Sequence, residues 1–266
     1  MPELPEVETV VRELRDGLQG RRIERMEALW SKTFQNINGR DVDGQRVRAI
    51  GRKGKYILLY LDDQDMIIHL RMSGQLLFTG ARSQAPHKHD RLIFDLEGGE
   101  RLVFRDARKF GRIYLVNEAD SHLAHVGMDA LDPRMTPSHF RNLLRQSRQG
   151  IKAFLLSQKG ISGLGNIYVD EALFLAGIHP LTRCVSIKNP HELRTVILGV
   201  LTKAIDNMGS TISDYRNTRG NEGMNQHYFY VYGRQGLPCK KCGAIIVKAR
   251  MAGRGTHFCP ECQPEA

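Results

Sequence analysis

The first six residues, MPELPE, place a proline and two glutamates where they could support covalent chemistry. If the initiator methionine is removed, Pro2 carries a free secondary amine just before a predicted helix. An α-amino group has a pKa of about 7.7–8, against about 10.4 for lysine, so at neutral pH it is neutral roughly a hundredfold more often. A neutral secondary amine can attack an electrophilic sugar carbon and form an iminium. Pro2 is therefore a candidate nucleophile.

The two glutamates fit that chemistry and also fit a simpler role. Glu3 is adjacent to Pro2 and could shuttle protons, while Glu6, one helical turn further on, could orient the amine or hold water. The positive end of the helix disfavours a protonated amine and so helps to keep it neutral. Acidic residues beside a proline are also typical of an ordinary capped helix start. Taken alone, these residues favour the ordinary start, and the chemical interpretation stays open.

Near the other end of the chain, four of the five cysteines form two CxxC pairs. Two such pairs at this separation predict a four-thiolate zinc site. A closed set of four sulfurs leaves no open position for catalysis, so the zinc is expected to be structural and to organise a small β hairpin. Two disulfides are the alternative, but nothing indicates an oxidising compartment. The predicted ligands are Cys239, Cys242, Cys259 and Cys262.

Two glycine-rich segments could bind anions. KGISGLG (159–165) precedes a helix predicted to begin at Asn166, and exposed N–H groups at a helix N-terminus attract anions. AGRGTHF (252–258) places Arg254 between two glycines at the predicted hairpin tip, where it could approach a phosphate closely. Each segment could equally be an ordinary packed or solvated turn.

The net charge indicates which kind of anion the protein binds. Lys and Arg total 39 against 29 Asp and Glu, a net charge of +10, and such a balance favours polyanions, nucleic acid first. Hydrophobic residues make up 41% of the 266 residues, enough for a packed core. Because no apolar run approaches a membrane span and no leader pattern is evident, we expect a soluble cytoplasmic protein.

The spacing of apolar residues predicts the elements that must position these groups. Val7, Val10, Leu14 and Leu18 have helical spacing. Short β-rich runs follow between about 22 and 116, with the EGGE turn (97–100) joining two of them, which indicates a sandwich or barrel. After about residue 131 the pattern is helical, with helices predicted over 137–147, 151–158 and 166–177 and from a capping-box-like start at Asn189 to about Asn207.

Four segments together resemble bacterial formamidopyrimidine-DNA glycosylases. They are MPELPEVE, KGISGLGNIYVDEALFLAGIHP, VYGRQGLPCKKCG and GRGTHFCPECQ, and they occur in the family's order over essentially the whole chain. Related endonuclease VIII enzymes usually open with P-E-G-P-E, so Leu4 favours the formamidopyrimidine branch. The resemblance implies an α+β protein with an N-terminal helix and β-sandwich domain over 2–117, a helix–two-turn–helix domain over 131–225 and a C-terminal zinc-finger hairpin over 229–266.

The resemblance also implies an activity. Such enzymes are bifunctional DNA glycosylases and lyases: they remove 8-oxoguanine and formamidopyrimidines from double-stranded DNA, act on abasic sites, and cut the strand by β,δ-elimination. The family implies one structural Zn²⁺ per chain, a monomer, and a bacterial cytoplasm in which the enzyme associates with the nucleoid through DNA.

Catalytic roles follow from the motif positions that match the family. Pro2 corresponds to the nucleophile at the sugar C1′ and Glu3 to its acid/base partner, with Glu6 in support. Lys55, in RKGKYILL, matches a lysine that contacts lesion and phosphate and assists β-elimination. Arg254 matches the zinc-hairpin arginine, expected on a phosphate and in the second elimination.

The remaining matches are DNA contacts. An enzyme that flips a base out of the duplex must fill the gap that the base leaves, and the family fills it with the residues that match Met72, Arg108 and Phe110, Arg108 pairing with the orphaned cytosine. Met72 and Phe110 could instead pack in a core. The lesion-recognition loop is expected within about 218–225 and is expected to order on binding. Other expected DNA contacts are Asn166, His69, His89 and Arg148.

Two further interpretations stay open. A retained Met1 would acylate the Pro2 nitrogen and leave a protein that binds damaged or abasic DNA without excising a base. An endonuclease VIII-like preference for oxidised pyrimidines is the other, although Leu4, Arg108 and Phe110 count against it. Ala107 and Lys109 stand where the family often has Pro and Arg, which puts the stiffness of the Arg108 loop in doubt.

Overall fold

The computed structural model describes residues 1–80 and 85–265. Its helices are α1 (Leu4–Leu18), α2 (Ala119–His122), α3 (Pro137–Gln146), α4 (Ile151–Leu156), α5 (Asn166–Leu175) and α6 (Pro190–Asp206). Its strands are β1 (Ile23–Ala28), β2 (Phe34–Asn36), β3 (Ala49–Lys53), β4 (Tyr56–Tyr60), β5 (Asp65–His69), β6 (Gly74–Thr79), β7 (Asp90–Leu96), β8 (Arg101–Asp106), β9 (Arg112–Val116), β10 (Met128–Asp129), β11 (Ile161–Ser162), β12 (Val247–Met251) and β13 (Arg254–Phe258). The predicted α+β class is confirmed.

The chain divides into two compact units, and it enters each of them twice. Unit 1 comprises residues 1–125 and 207–224, and unit 2 comprises 126–206 and 225–266. The segment 207–224 therefore belongs with the N-terminal unit although it follows the last long helix. The division into three domains over 2–117, 131–225 and 229–266 stays a prediction.

Unit 1 contains two β sheets with a shared apolar core. One sheet has the order β1-β7-β8-β6 and the other the order β2-β9-β5-β4-β3. Neighbouring strands are antiparallel except β2 and β9. The apolar face of α1 enters the same core as both sheets, so the helix that begins beside Pro2 is fixed along its length.

The EGGE turn forms the predicted hairpin between β7 and β8. Gly98 and Gly99 have φ of 90° and 88°, a left-handed conformation that glycine adopts at little cost. The turn is closed by a hydrogen bond of 2.9 Å from the Leu96 N–H to the Glu100 carbonyl. The pair Leu96 and Glu100 encloses a three-residue loop, in which the Gly99 N–H also donates to the Leu96 carbonyl at 3.1 Å. Three-residue loops with a left-handed residue are a common hairpin connection.

Unit 2 combines α3–α6 with the β12–β13 hairpin. The predicted capping-box-like start of α6 is present: Asn189 Oδ1 accepts the Glu192 N–H at 3.4 Å, and Asn189 Nδ2 donates to the Glu192 carboxylate at 2.9 Å. The second bond joins two side chains, whereas in a full capping box the glutamate accepts the backbone N–H of the first residue. β12 and β13 pair antiparallel, with Met251 opposite Arg254. Across residues 1–80 and 85–265, no helix is both long and apolar enough to span a bilayer.

Candidate active site and metal centre

The start of α1 is a reciprocal capping box built from Glu3 and Glu6. The Glu3 N–H donates to Glu6 Oε2 at 2.7 Å, and the Glu3 side chain accepts from the Glu6 backbone. Pro2, Glu3 and Glu6 are buried, whereas Met1 is exposed. The ordinary capped helix start is thus present, and it fixes the Glu3 carboxyl group immediately beside Pro2.

Glu6 also holds a distant part of the chain. Its Oε1 accepts the Ser210 N–H at 2.7 Å. Gly209, with φ of 77°, lies so close that a Cβ there would be 2.8 Å from Glu6 Oε1. Because both carboxylate oxygens of Glu6 accept backbone N–H groups, Glu6 fixes the start of α1 and the returning segment 207–224 together. Its expected contact with the amine or with water stays a prediction.

Tyr215 covers this carboxylate region from the returning segment. Its hydroxyl donates to the Met208 carbonyl at 3.2 Å and lies 3.4 Å from the Glu6 carbonyl. Burial, and secondly the negative Glu6, raise the pKa of Tyr215 well above its usual range. Tyr215 therefore stays a neutral hydrogen-bond donor at every physiological pH.

Lys55 and His69 lie near each other inside unit 1. Lys55 occupies the two-residue loop between β3 and β4, next to Gly54 with φ of 58°, and its side chain is buried. His69 Nδ1 accepts the Arg71 N–H at 2.9 Å. Burial, together with the positive Arg71 and Lys55, lowers the pKa of His69 to about 3. His69 is therefore neutral at pH 7, and its role in DNA binding stays a prediction.

The three residues expected to fill the gap of a flipped base are all exposed on unit 1. The exposed fractions are 39% for Met72 and 48% for Phe110, and the Arg108 guanidinium lies 5.2 Å from the centre of the Phe110 ring. An apolar side chain that packs in a core would be covered, so core packing does not explain Met72 or Phe110. Both side chains are open to solvent, and their contact with DNA stays a prediction.

A buried carboxylate that sequence reasoning missed connects the loops of these residues. Asp106 accepts the Gly111 N–H at 2.7 Å, the Arg108 N–H at 3.1 Å and the Ser73 hydroxyl at 2.5 Å. Ser73 directly follows Met72, so one carboxylate fixes both exposed loops. The loop with Ala107 in place of proline is thus constrained by Asp106.

His89 and Arg148 stand at the surface of their respective units. The pKa of His89 lies below its ordinary value because of partial desolvation and because Lys88 and Arg91 are positive. Arg91 Nε donates to the Asp106 carbonyl at 2.8 Å. Arg148 is exposed between α3 and α4. Both positions suit contact with an anion, and both contacts stay predictions.

Unit 2 brings Asn166 and the Arg254 segment together. Asn166 is the first residue of α5, and its Nδ2 donates to the Gly255 carbonyl at 2.8 Å. Its Oδ1 is buried and accepts no hydrogen bond from the residues that the structure describes. Arg254, one residue before Gly255, is exposed at the start of β13. A cation and a helix N-terminus thus lie side by side, which suits an anion.

A buried ion pair holds this arrangement in place. Asp170 lies one turn after Asn166, and its Oδ1 pairs with Lys152 of α4 while its Oδ2 accepts the His257 N–H at 2.9 Å. His257 lies on β13, the strand that begins with Arg254. Sequence reasoning missed this network, although the DE pair inside the apolar stretch NIYVDEALFLAG was an available signal.

Glu171 fixes residues 230–232, the segment that precedes the first CxxC pair. Its carboxylate accepts backbone N–H groups from Tyr230 and Val231 at 2.9 Å and from Tyr232 at 2.8 Å. Burial raises the pKa of Glu171, although these hydrogen bonds oppose the rise. The two successive acidic residues of α5 therefore fix the two chain segments on either side of the first CxxC pair.

The four cysteines converge as predicted. Their sulfur atoms all lie within 4.8 Å of one another, with Cys239 and Cys262 Sγ 3.9 Å apart and Cys242 and Cys259 Sγ 3.5 Å apart. A tetrahedral ion with Zn–S bonds of about 2.3 Å requires sulfurs about 3.8 Å apart, whereas a disulfide requires about 2.05 Å. The set fits a structural zinc ion, and the zinc prediction is confirmed.

Comparison with known proteins identifies the family. The formamidopyrimidine-DNA glycosylase of Chloroflexus aurantiacus is 44% identical over 99% of this chain and 98% of its own length. This chain belongs to the formamidopyrimidine-DNA glycosylase family. Three domain families match in order: the formamidopyrimidine-DNA glycosylase N-terminal domain over 1–113, its H2TH domain over 126–216, and the zinc finger found in FPG and IleRS over 236–264.

Solved structures of the family are similar over the full length. A Lactococcus lactis Fpg variant bound to Fapy-dG DNA is 37% identical with a TM-score of 0.91. The wild-type Lactococcus lactis enzyme bound to DNA with an oxidised pyrimidine is 36% identical with a TM-score of 0.90. Each similarity covers 99% of this chain and 100% of the other. The family membership inferred from four sequence segments is confirmed.

Proposed function

We propose that this chain is a base-excision-repair DNA glycosylase and AP lyase that removes oxidised purines from double-stranded DNA and excises them through the Pro2 amine. The observation that carries the proposal is full-length membership of the formamidopyrimidine-DNA glycosylase family together with the buried Glu3 beside Pro2. We infer a bacterial cytoplasm, with the enzyme on chromosomal DNA, as its location, since the similar proteins named above are bacterial and the proposed substrate is DNA.

The first chemical step uses Pro2 after Met1 has been removed. The nitrogen lone pair attacks the sugar C1′ and the bond from C1′ to the base breaks, with the base leaving as it gains a proton. Opening of the sugar ring, with a proton supplied to the ring oxygen, gives an iminium between Pro2 and C1′. Glu3 is adjacent and buried, so its carboxyl group is the proton donor and acceptor that we assign to this step.

Strand cleavage follows from the iminium. Loss of a proton from C2′ expels the 3′ phosphate, and a second elimination expels the 5′ phosphate; hydrolysis then releases Pro2. Lys55 lies in the tight loop between β3 and β4, and we assign it to the lesion and phosphate beside the first elimination. Arg254 is exposed at its hairpin tip, and we assign it to a phosphate and to the second elimination.

DNA binding uses features that each unit presents by itself. In unit 2, the N-terminus of α5 and the Arg254 guanidinium offer N–H donors and positive charge to one phosphate. In unit 1, Met72 and Phe110 offer exposed apolar side chains to an opened base step, at a few kcal/mol of unstacking. Arg108 carries the hydrogen-bond donors for the orphaned cytosine. The zinc ion supplies no reactive position and stabilises the hairpin.

The test is reduction of the covalent intermediate. Borohydride should trap the wild-type protein on a duplex with 8-oxoguanine opposite cytosine, because it reduces the iminium to a stable amine. Pro2→Gly should lower trapping severely. The mature N-terminus must first be shown by mass spectrometry to be proline. Binding without trapping in that protein would establish a DNA-binding protein without excision and would overturn the proposed mechanism.

A second candidate concerns the lesion rather than the chemistry. The wild-type Lactococcus lactis relative has been captured on DNA with an oxidised pyrimidine, which favours testing that class of lesion with this chain as well. Single-turnover excision rates on 8-oxoguanine and on an oxidised pyrimidine should rank the purine first. A higher rate on the pyrimidine would reverse the assignment while leaving the Pro2 chemistry intact.

A further inference from the structure

Glu13, near the middle of α1, binds the segment that returns to unit 1 after α6. One carboxylate oxygen accepts the Asn217 amide at 2.7 Å. The other accepts both the Thr218 N–H at 2.8 Å and the Thr218 hydroxyl at 2.7 Å. Three donors converge on this side chain from more than 200 positions away in the sequence.

Glu13 and Glu6 form two anchor points on one face of α1. They are seven residues apart, two helical turns, and therefore project from the same side of the helix. Glu6 holds the segment at Ser210 and Glu13 holds it at Thr218. The helix that begins beside Pro2 thus holds both ends of this stretch through carboxylates. β6 holds it by backbone contact, since the Phe78 N–H donates to the Thr218 carbonyl at 3.0 Å.

Beyond the Glu13 anchor the chain makes an exposed turn over residues 219–222. The Asn217 side-chain oxygen accepts the Arg219 N–H at 3.1 Å and the Asn221 N–H at 2.8 Å. Gly220, with φ of 84°, allows the turn to close. Asn217 therefore transmits the position of the Glu13 carboxylate to the tip, where Arg219 is exposed.

We propose that Glu13 is a positioning residue for lesion recognition: it sets the place of the 219–222 tip relative to the nucleophilic end of α1. This inference rests on the proposed function, because it requires Pro2 to act on a flipped base that the tip contacts. Glu13 itself touches neither Pro2 nor any reacting atom.

The requirement is for a carboxylate in particular. All three partners are donors, and an ionised carboxylate offers only acceptors. Glutamine at this position would turn an NH₂ group toward at least one donor, so at least one of the three hydrogen bonds would be lost and two donors would face each other, although the side-chain volume is kept. The apolar face of α1 remains in the core of unit 1, so the substitution leaves the helix itself packed.

The experiment compares two reactions of the same full-length protein. Glu13→Gln is measured against Asp16→Asn, which removes the same charge from an exposed position on α1. One substrate is a duplex with 8-oxoguanine opposite cytosine, and the other is the same duplex with a preformed abasic site, which has no base to recognise. Borohydride trapping and single-turnover strand cleavage are recorded for each.

We expect Glu13→Gln to lower excision of 8-oxoguanine about tenfold or more, equivalent to at least about 1.4 kcal/mol of transition-state stabilisation. Cleavage at the preformed abasic site should stay within about twofold of the wild type, since Pro2 and Glu3 are untouched. Asp16→Asn should resemble the wild type on both substrates. A purely structural role would lower both reactions together, so the ratio of the two rates is the decisive readout.

Two results would overturn the inference. Equal losses on the two substrates would make Glu13 a general stabilising residue, and no loss on either would make the anchor irrelevant. Failure of the proposed function is distinguishable, because the wild-type protein would then fail to be trapped on either duplex. Glu13→Asp, which keeps the carboxylate on a shorter stem, should restore part of the excision rate.

Discussion

The start of α1 in unit 1 and the junction of α5 with the zinc hairpin in unit 2 are both held by buried carboxylates, but they rest on different supports. In unit 1, the core that contains α1 includes 24 buried residues among those the structure describes. In unit 2, the cluster around the cysteines includes five, of which two are cysteines themselves. The first region is fixed by apolar packing, and the second depends on a metal and an ion pair.

The difference follows from size. A large core supplies enough apolar burial to keep the start of α1 in place without a ligand, so Glu3 and Glu6 only have to set local geometry. A hairpin of two five-residue strands buries too little surface to do so. Four thiolates around one ion, and Lys152 paired with Asp170, replace the missing packing.

The largest effect on unit 2 is expected when Lys152 is replaced. Lys152→Met keeps most of the side-chain volume but leaves Asp170 charged and buried, which should lower the free energy of unfolding by about 3–5 kcal/mol. Urea unfolding measures the loss. Lys159→Met, the same change at an exposed position, should be close to neutral. Adding Asp170→Asn to Lys152→Met should recover part of the stability, and equal stability of the two single variants would contradict the role of the ion pair.

Loss of the zinc should weaken DNA binding while sparing the start of α1. Cys259→Ser should reduce bound zinc from about one ion per chain and lower affinity for a lesion duplex about a hundredfold, or about 2.7 kcal/mol. Metal content and fluorescence anisotropy measure the two effects. Cys184→Ser changes a buried cysteine outside the cluster, and this variant should still bind about one zinc ion per chain. Undiminished affinity in zinc-free Cys259→Ser protein would refute the claim that the hairpin binds DNA.

Lowering the pH tests the contribution of the buried, neutral His69 to the stability of unit 1. Because the pKa of His69 falls to about 3 on folding, the unfolded chain binds a proton below about pH 6.5 that the folded chain does not. Above that pH, His69 is neutral in both states and does not change the free energy of unfolding. As the pH falls from about 6.5 toward 3, the free energy of unfolding decreases by up to about 1.4 kcal/mol per pH unit. His69→Gln, which keeps an acceptor for the Arg71 N–H, should flatten the slope in a series of urea unfolding curves. If the free energy of unfolding changed with pH as steeply in His69→Gln as in the wild type, groups other than His69 would account for the loss of stability in acid.

The smallest effect is expected at the hairpin tip. Arg254→Ala should weaken binding to lesion and undamaged duplexes alike, by about 1 kcal/mol at moderate salt, because it removes one phosphate contact. The slope of log affinity against log salt concentration should become less steep by about one. Arg250→Ala, on the same hairpin and also exposed, should change the slope less. Equal slopes for the two variants would show that general charge, and not the tip, binds the phosphate.

Short-range signals in the sequence were enough for much of the fold. The EGGE hairpin, the capping-box-like start of α6 at Asn189 and the convergence of the four cysteines were all predicted, because the residues that determine them lie within a few positions or within one small hairpin. The chemistry of a free proline amine beside a glutamate nominated Pro2 and Glu3, and the resemblance to the family favoured that interpretation over an ordinary helix start. Their neighbours in space were not predictable in the same way.

Glu13, Asp106 and Asp170 show where prediction from the sequence stopped. Their roles are explained by partners that folding brings to them: Thr218 for Glu13, Gly111 and Ser73 for Asp106, His257 for Asp170. Asp170 alone of the three has a signal in the sequence, because it lies within an apolar stretch. A carboxylate is acceptor-only, so its role depends on which donors surround it.

Residue types and their local spacing were sufficient to predict the metal ligands and most of the helices and strands, and to nominate Pro2 and Glu3 as reactive groups. The return of residues 207–224 to α1, and the carboxylates that hold segments far apart in the chain, became visible in the folded molecule alone. A buried N–H needs a hydrogen-bond acceptor, and the acceptor that lies within reach depends on the packing of the whole unit.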